Sequence, residues 1–317
     1  MRQFITLPTL RVVRRHGRNG RRLCAVAVSL AVALGTHSRS RGDNVIFLWG
    51  RGDGGESKSA AEKLAEPLVT DRPDFTNSAA TVGLGLTQIE EGYTYSYNAN
   101  GVGSTTSHSF PETLVRMGVL AEWFEARLGW NYSAAANTEF GAGKSDDSGS
   151  EPLYLGVKLA LAGQEDFLPE TGLVVQMSVP TGPTNVSGDE MLPGVAWLYG
   201  WDLNDWISLG GMAQGNRALD SQTSRPYFEY SQSWSVGYDL SEELGAYTEW
   251  YVIAPDGADF DPCQNYFDAG FTYLLSDNLQ LDIRYGVGLN EGADDYFAGA
   301  GVTWRPLCLA RNVQSGR

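Results

Sequence analysis

Beyond an arginine-rich N-terminal stretch the chain holds one histidine, His108, with a serine on either side, Ser107 and Ser109. A histidine general base beside a serine nucleophile is the chemistry of acyl transfer, and lipid hydrolysis would need such a pair. The surrounding residues alternate as a strand does, and neighbours on a strand point to opposite faces. Neither serine therefore reaches the ring from its own position, and a solvated histidine near a strand end is the plainer reading. Asp256, Asp259 and Asp261 crowd one segment but lack the glycine and terminal glutamate of a calcium loop. The cysteines show no CxxC or Cys/His spacing. The sequence thus predicts no enzyme, no metal site and no cofactor.

What remains able to do chemistry is a set of charges spaced at period two. Glu90, Glu112, Glu125, Glu229, Glu249, Asp268 and Asp282 share one strand parity with Arg116, Arg127, Lys158, Arg284 and Arg305. If that parity lines a lumen, the mixture implies either a wet passage or a network of ion pairs that fills it, and one residue can serve both. Acids exceed bases in this set. The intervening segments add Asp146, Asp147, Glu151, Asp189, Glu190, Asp256, Asp259 and Asp261. An open pore of this kind favours cations or neutral solutes. The acidic segments also suit bridging to lipopolysaccharide through divalent cations.

The elements that must position these charges are strands. In residues 279–287, Leu279, Leu281, Ile283, Tyr285 and Val287 alternate with Gln280, Asp282, Arg284 and Gly286. Similar stretches at 88–97, 107–119, 123–132, 153–162, 171–180, 191–202, 206–215, 227–239, 244–254, 266–275 and 295–305 bring the total to about twelve strands. Short turns such as 203–205, 240–243 and 276–278 alternate with longer links such as 133–150, 181–190 and 255–265. The parity opposite the charges is apolar and aromatic, as in Phe124, Leu128, Trp130 and Tyr132, or Leu173, Val175, Met177 and Val179. Glu91 and Gln232 break this pattern and fit only near a rim or beside a bulge. The composition agrees, with 38 glycines and 11% aromatics. The expected fold is all-β: an antiparallel transmembrane β-barrel with short periplasmic turns and longer external loops. A soluble β-sandwich gives the same alternation, but aromatic outer faces and alternating turn lengths favour the barrel.

Residues 1–42 carry nine arginines and no acid, so the remainder is more acidic than the overall charge of −15. Such a chain is a poor partner for nucleic acid. Arg14, Arg15, Arg18, Arg21 and Arg22 precede the apolar run 23–35, and the small residues Thr36 and Ser38 follow it. This reads as a signal peptide over 1–38; the arginine pairs permit a twin-arginine reading, although plain positive charge accounts for them. Cys24 opens the apolar run instead of following it, which disfavours a lipid anchor. A flexible polar leader is expected over 39–87, with a short helix at 59–64, then the barrel over 88–306 and a tail over 307–317. Cys263 and Cys308 fall at opposite rims, too far apart for a disulfide.

Four segments carry a resemblance: TDRPDFT at 70–76, QIEEGYTYSY at 88–97, VPTG at 179–182, and YLLSDNLQLDIRYGVGLNEGADDYFAGAGVTWRP at 273–306. With their spacing, the chain resembles the bacterial outer-membrane β-barrel family named for transport in the phenol-degradation meta pathway. The resemblance implies residence in the cell outer membrane and uptake of aromatic or other hydrophobic compounds, and it carries over no catalytic residue. Members commonly end on an aromatic residue directly after the last strand, whereas here Pro306 and the tail follow Trp304 and Arg305. The expectation is a monomer inserted by the barrel assembly machinery, surrounded by outer-membrane lipid and lipopolysaccharide, passing a small-molecule solute passively. The alternative is a closed structural or adhesive barrel.

Overall fold

Period-two alternation with both faces satisfied resolves into a barrel. The computed structural model describes residues 60–141 and 143–306. The signal segment 1–38, the start of the leader, Cys24, Cys308 and the tail 307–317 lie outside the described residues.

A short helix, α1 (Ala60–Lys63), precedes β1 (Thr87–Ala99), β2 (Gly103–Gly118), β3 (Phe124–Glu139), β4 (Gly143–Ser150), β5 (Leu153–Ala162) and β6 (Glu170–Val179). After a one-turn helix, α2 (Thr184–Ser187), come β7 (Leu192–Asn204), β8 (Ile207–Leu219), β9 (Pro226–Asp239), β10 (Leu244–Asp256), β11 (Gln264–Ser276), β12 (Leu279–Gly288) and β13 (Tyr296–Trp304). Except for β4 and β5, consecutive strands pair antiparallel, β1 pairs with β13, and the β2–β3 pairing closes the ring. The upper half of β3 pairs with β4 and the lower half with β5, so β4 and β5 form one lane and the closed barrel has 12 strands. Among the described residues no helix is long and apolar enough to cross a membrane.

The outward parity is apolar and exposed: Leu128 and Trp130 on β3, Val195 and Trp197 on β7, Phe267 and Phe271 on β11, and Leu281, Ile283 and Tyr285 on β12. A closed barrel pairs every backbone group internally, so such a face can meet hydrocarbon without cost. Glu91 sits where the β1–β2 register shifts between Glu90 and Thr94, and Thr113 Oγ1 donates to it at 2.8 Å. Gln232 donates to the Tyr199 hydroxyl at 2.7 Å.

Two expected loops are corrected. Residues 133–150 continue β3 and form β4, and the link expected between 97 and 107 tightens to 100–102. These extensions carry small and polar side chains on both faces, because beyond the bilayer neither face has to be apolar. Their alternation therefore has no hydrophobic signature.

Candidate functional site

The charged parity faces inward, and the space it encloses is occupied by the chain's own leader. Residues 68–82 run from the periplasmic rim into the lumen and back out to β1. At the rim, Leu68 N–H donates to Asp277 O at 2.9 Å, Arg305 Nη1 donates to Lys63 O at 3.1 Å, and Lys63 pairs with Glu122. On the return, Thr81 Oγ1 donates to Glu122 O at 2.6 Å and Val82 N–H to Glu125 at 2.9 Å. The leader's second half is thus a bound strap and not the flexible segment its polarity suggests.

Asp71 and Arg72 hold the strap to the charged side of the wall. The Asp71 carboxylate accepts from Lys158 Nζ at 2.9 Å and lies 2.7 Å from Arg127 Nη1 and 3.6 Å from Arg116 Nη1. The Arg127 approach is an ion pair whose angle is not that of a hydrogen bond. Arg116 in turn donates to Glu125 at 2.9 and 3.0 Å and to Glu90 at 3.0 Å. Arg72 takes the opposite polarity: its guanidinium meets Glu112 at 3.0 Å and Asp282 at 3.1 Å. Space for it comes from two facing glycines, Gly92 on β1 and Gly301 on β13, which are register partners. A Cβ at Gly92 would fall 2.1 Å from Arg72 Nη1, and one at Gly301 2.4 Å from Nε. Arg284 donates to Pro73 O at 2.6 Å and to Thr94 Oγ1 at 2.8 Å.

The next residues turn to a different wall. Phe75 N–H and Thr76 N–H donate to Glu249 at 2.6 and 2.7 Å, and Thr76 Oγ1 donates to the same carboxylate at 2.6 Å. The Phe75 ring stacks on Tyr251, centroids 4.4 Å apart and planes within 6°. Phe75 and Ala79 also belong to one buried cluster with Val174, Ala196, Leu198 and Met212. The inward parity of β6 to β8 is therefore largely apolar, a feature that counting charges does not reveal.

Of the residues expected on the lumen, Glu90, Glu112, Arg116, Glu125, Arg127, Lys158, Glu249, Asp268, Asp282 and Arg284 are buried around the strap. Glu229 stands apart in the external mouth, half-buried, with Tyr227 donating to it at 3.4 Å. Arg305 lies at the periplasmic rim. The strap residues Asp71, Arg72, Phe75 and Thr76 escaped the sequence reading as site residues, although they lie within TDRPDFT. Burying this many charges is tolerable only because almost every one meets an opposite charge or a hydrogen-bond donor.

His108 lies outside this arrangement. Its exposed ring sits on the outer face, with Nδ1 2.8 Å from the Tyr93 hydroxyl and Tyr95 edge-on at 5.4 Å, while Ser107 and Ser109 are buried on the inner face. Outside the membrane, Asp220 ties two loops together by accepting the N–H groups of Gln222, Thr223, Asp259 and Phe260. Burial alone would push its carboxyl up, but these donors outweigh burial and hold it below the usual aspartate value. Cys263 lies in the external link between β10 and β11.

A family model described as "Putative MetA-pathway of phenol degradation" matches residues 70–305. The chain is similar in structure to an outer membrane channel from Pseudomonas putida F1, with a TM-score of 0.59 at 15% identity, over 74% of this chain and 100% of that one. It is also similar to the transport unit of the autotransporter AIDA-I from Escherichia coli, with a TM-score of 0.49 at 10% identity, over 70% of this chain and 90% of that one. No curated protein sequence matches.

Proposed function

This chain belongs to the family described as "Putative MetA-pathway of phenol degradation", and from that premise we propose that it is a channel through which small solutes, aromatic or hydrophobic compounds among them, diffuse. Its place is the outer membrane, because a closed antiparallel barrel with an apolar outer face is built for that bilayer. The observation that carries the reading is how the lumen is filled. Wall charges such as Lys158, Asp282 and Glu112 meet partners on a peptide strap threaded in from the rim. When the strap shifts, those charges line a wet passage. Acids outnumber bases on that wall, so the passage favours cations and neutral solutes over anions. The reading is non-enzymatic and monomeric. It has the assembly machinery insert the barrel after removal of the 1–38 signal, and acidic external loops meet lipopolysaccharide through divalent cations.

Single-channel recording of the refolded mature chain in a planar bilayer tests this, once a gel shows the heat-modifiable mobility of a folded barrel. Discrete current steps with cation preference are expected. A folded barrel that never conducts overturns the reading. It would leave the second one, a closed structural or adhesive barrel, which the close packing of the strap favours.

A further inference from the structure

The strap does more than fill space at one point: Phe75 presents the wall with a recognisable small molecule. Its backbone nitrogen, Cα, Cβ and ring are the atoms of a 2-arylethylamine. The nitrogen donates to Glu249 at 2.6 Å while the ring lies flat on Tyr251. The wall continues the pattern. Tyr251 stacks on Tyr266 with centroids 4.9 Å apart, and Tyr266 meets Phe297 edge-on at 5.8 Å. These rings come from β10, β11 and β13, so the barrel and not the strap fixes their spacing. Beside Glu249, its register partner Asp268 is buried; its Oδ2 accepts from Tyr247 at 3.0 Å, and its carboxyl lies against that of Glu249. Once the strap leaves, Glu249 loses three donors at once.

We infer that this stretch of wall is a solute subsite for arylalkylammonium ions, occupied in the closed barrel by Phe75 as an internal competitor. The ring of the solute lies on Tyr251, and its ammonium group takes the place of the Phe75 and Thr76 N–H groups at Glu249, with Asp268 as a second acceptor. Two adjacent carboxylates reject a carboxylate-bearing aromatic by like-charge repulsion, and a saturated ring forfeits the stacking that Phe75 makes. Arg284 does not cancel this preference: its single charge also lies 3.8 Å from Glu112, so Glu112, Asp268 and Glu249 together outweigh it. The inference rests on the reading that solutes enter the lumen, and it names the class that the lumen retains.

The test is calorimetric titration of the folded full barrel in detergent with 2-phenylethylammonium chloride. A resident competitor lowers apparent affinity by the fraction of time it holds the site, so Phe75→Ala should bind at least about 10-fold more tightly than the wild type. Adding Glu249→Gln or Tyr251→Leu to Phe75→Ala should remove the gain. Phenylacetate and 2-cyclohexylethylammonium should each bind about 10-fold more weakly or worse. If Phe75→Ala binds no better than the wild type, or binds equally with Glu249→Gln added, Phe75 is a structural anchor and the subsite is overturned. Should Phe75→Ala fail to fold, the wild type decides: 2-phenylethylammonium must increase protease cleavage within residues 60–82, and no increase anywhere in the titration overturns the subsite. Binding is read without a bilayer, so its outcome is separable from conductance. Binding in a barrel that never conducts leaves the subsite standing and overturns the channel, and conductance without binding does the reverse.

Discussion

The two sides of the lumen hold the strap by different physics. On one side, β1, β2, β3, β5 and β12 offer charges, and Asp71 and Arg72 answer them with opposite signs. On the other, β6 to β8 and β10 offer Val174, Leu198, Met212 and Tyr251, and Phe75 and Ala79 pack among them. Burying a phenylalanine side chain stabilises by about 1.5–3 kcal/mol. A buried ion pair gives back little beyond its own desolvation cost but is severe when one partner is lost. The apolar side therefore supplies much of the strap's affinity, whereas the ionic side fixes its register, since a slip of one residue in one direction would set Arg72 against Lys158, and in the other Asp71 against Glu112. A strap with separate sources of affinity and register can be loosened without being misplaced.

Removing the guanidinium should have the largest effect. Arg72→Ala leaves Glu112 and Asp282 buried without their strap partner, a loss of about 3–5 kcal/mol if the strap stays in place. Because the strap can leave and water can enter, we expect the cost to appear as strap release, with the barrel still folded. Limited proteolysis within residues 60–82 should become fast while heat-modifiable mobility persists. A variant whose strap is as protected as the wild type would mean that the ionic side does not set register.

A smaller disturbance tests the same side through shape alone. Gly301→Ala keeps every charge but places a methyl group against Arg72 Nε, where the ideal Cβ would sit at 2.4 Å. The guanidinium must move off Asp282 or the strap must lift, and overpacking of this kind costs about 1–3 kcal/mol. Strap cleavage should accelerate less than in Arg72→Ala. If both variants behave alike, fit and not charge complementarity governs the ionic side.

These two sides were unequally legible in the sequence. Strand number and inward parity could be read because a bilayer enforces them locally: Leu281, Ile283 and Tyr285 must alternate with Asp282 and Arg284 whatever the rest of the chain does. The seat of Arg72 could not, since its partners are 40 and 210 residues away and meet only when the barrel closes. The nearest signal was glycine on the inward parity at both Gly92 and Gly301, where a strand gains nothing from lacking a side chain unless something approaches closely. The apolar side was hidden for another reason. On β6, Leu173, Val174 and Val175 are consecutive, so neither parity stands out as the lumen face. Residues 133–150 read as a loop because strands beyond the bilayer carry no apolar face to betray them.

The least costly change bears on the apolar side. Phe75→Leu keeps a bulky apolar side chain in the cluster with Leu198 and Met212 and removes only the stacking on Tyr251. Aromatic pairs contribute about 0.5–1.5 kcal/mol beyond the area they bury, so strap protection should fall by that amount and no more. The comparison with Phe75→Ala is what gives the result meaning, because loss of a buried phenylalanine to alanine costs about 3–5 kcal/mol. If leucine holds the strap nearly as well as phenylalanine, burial together with the three hydrogen bonds to Glu249 is the grip on this side, and the parallel stack on Tyr251 is not needed for closure. A ring retained without being needed for closure is what a wall shaped for an aromatic solute would leave behind. If leucine instead releases the strap as fully as alanine, the stack is the grip itself, and the division of labour between the two sides is sharper than burial alone would make it.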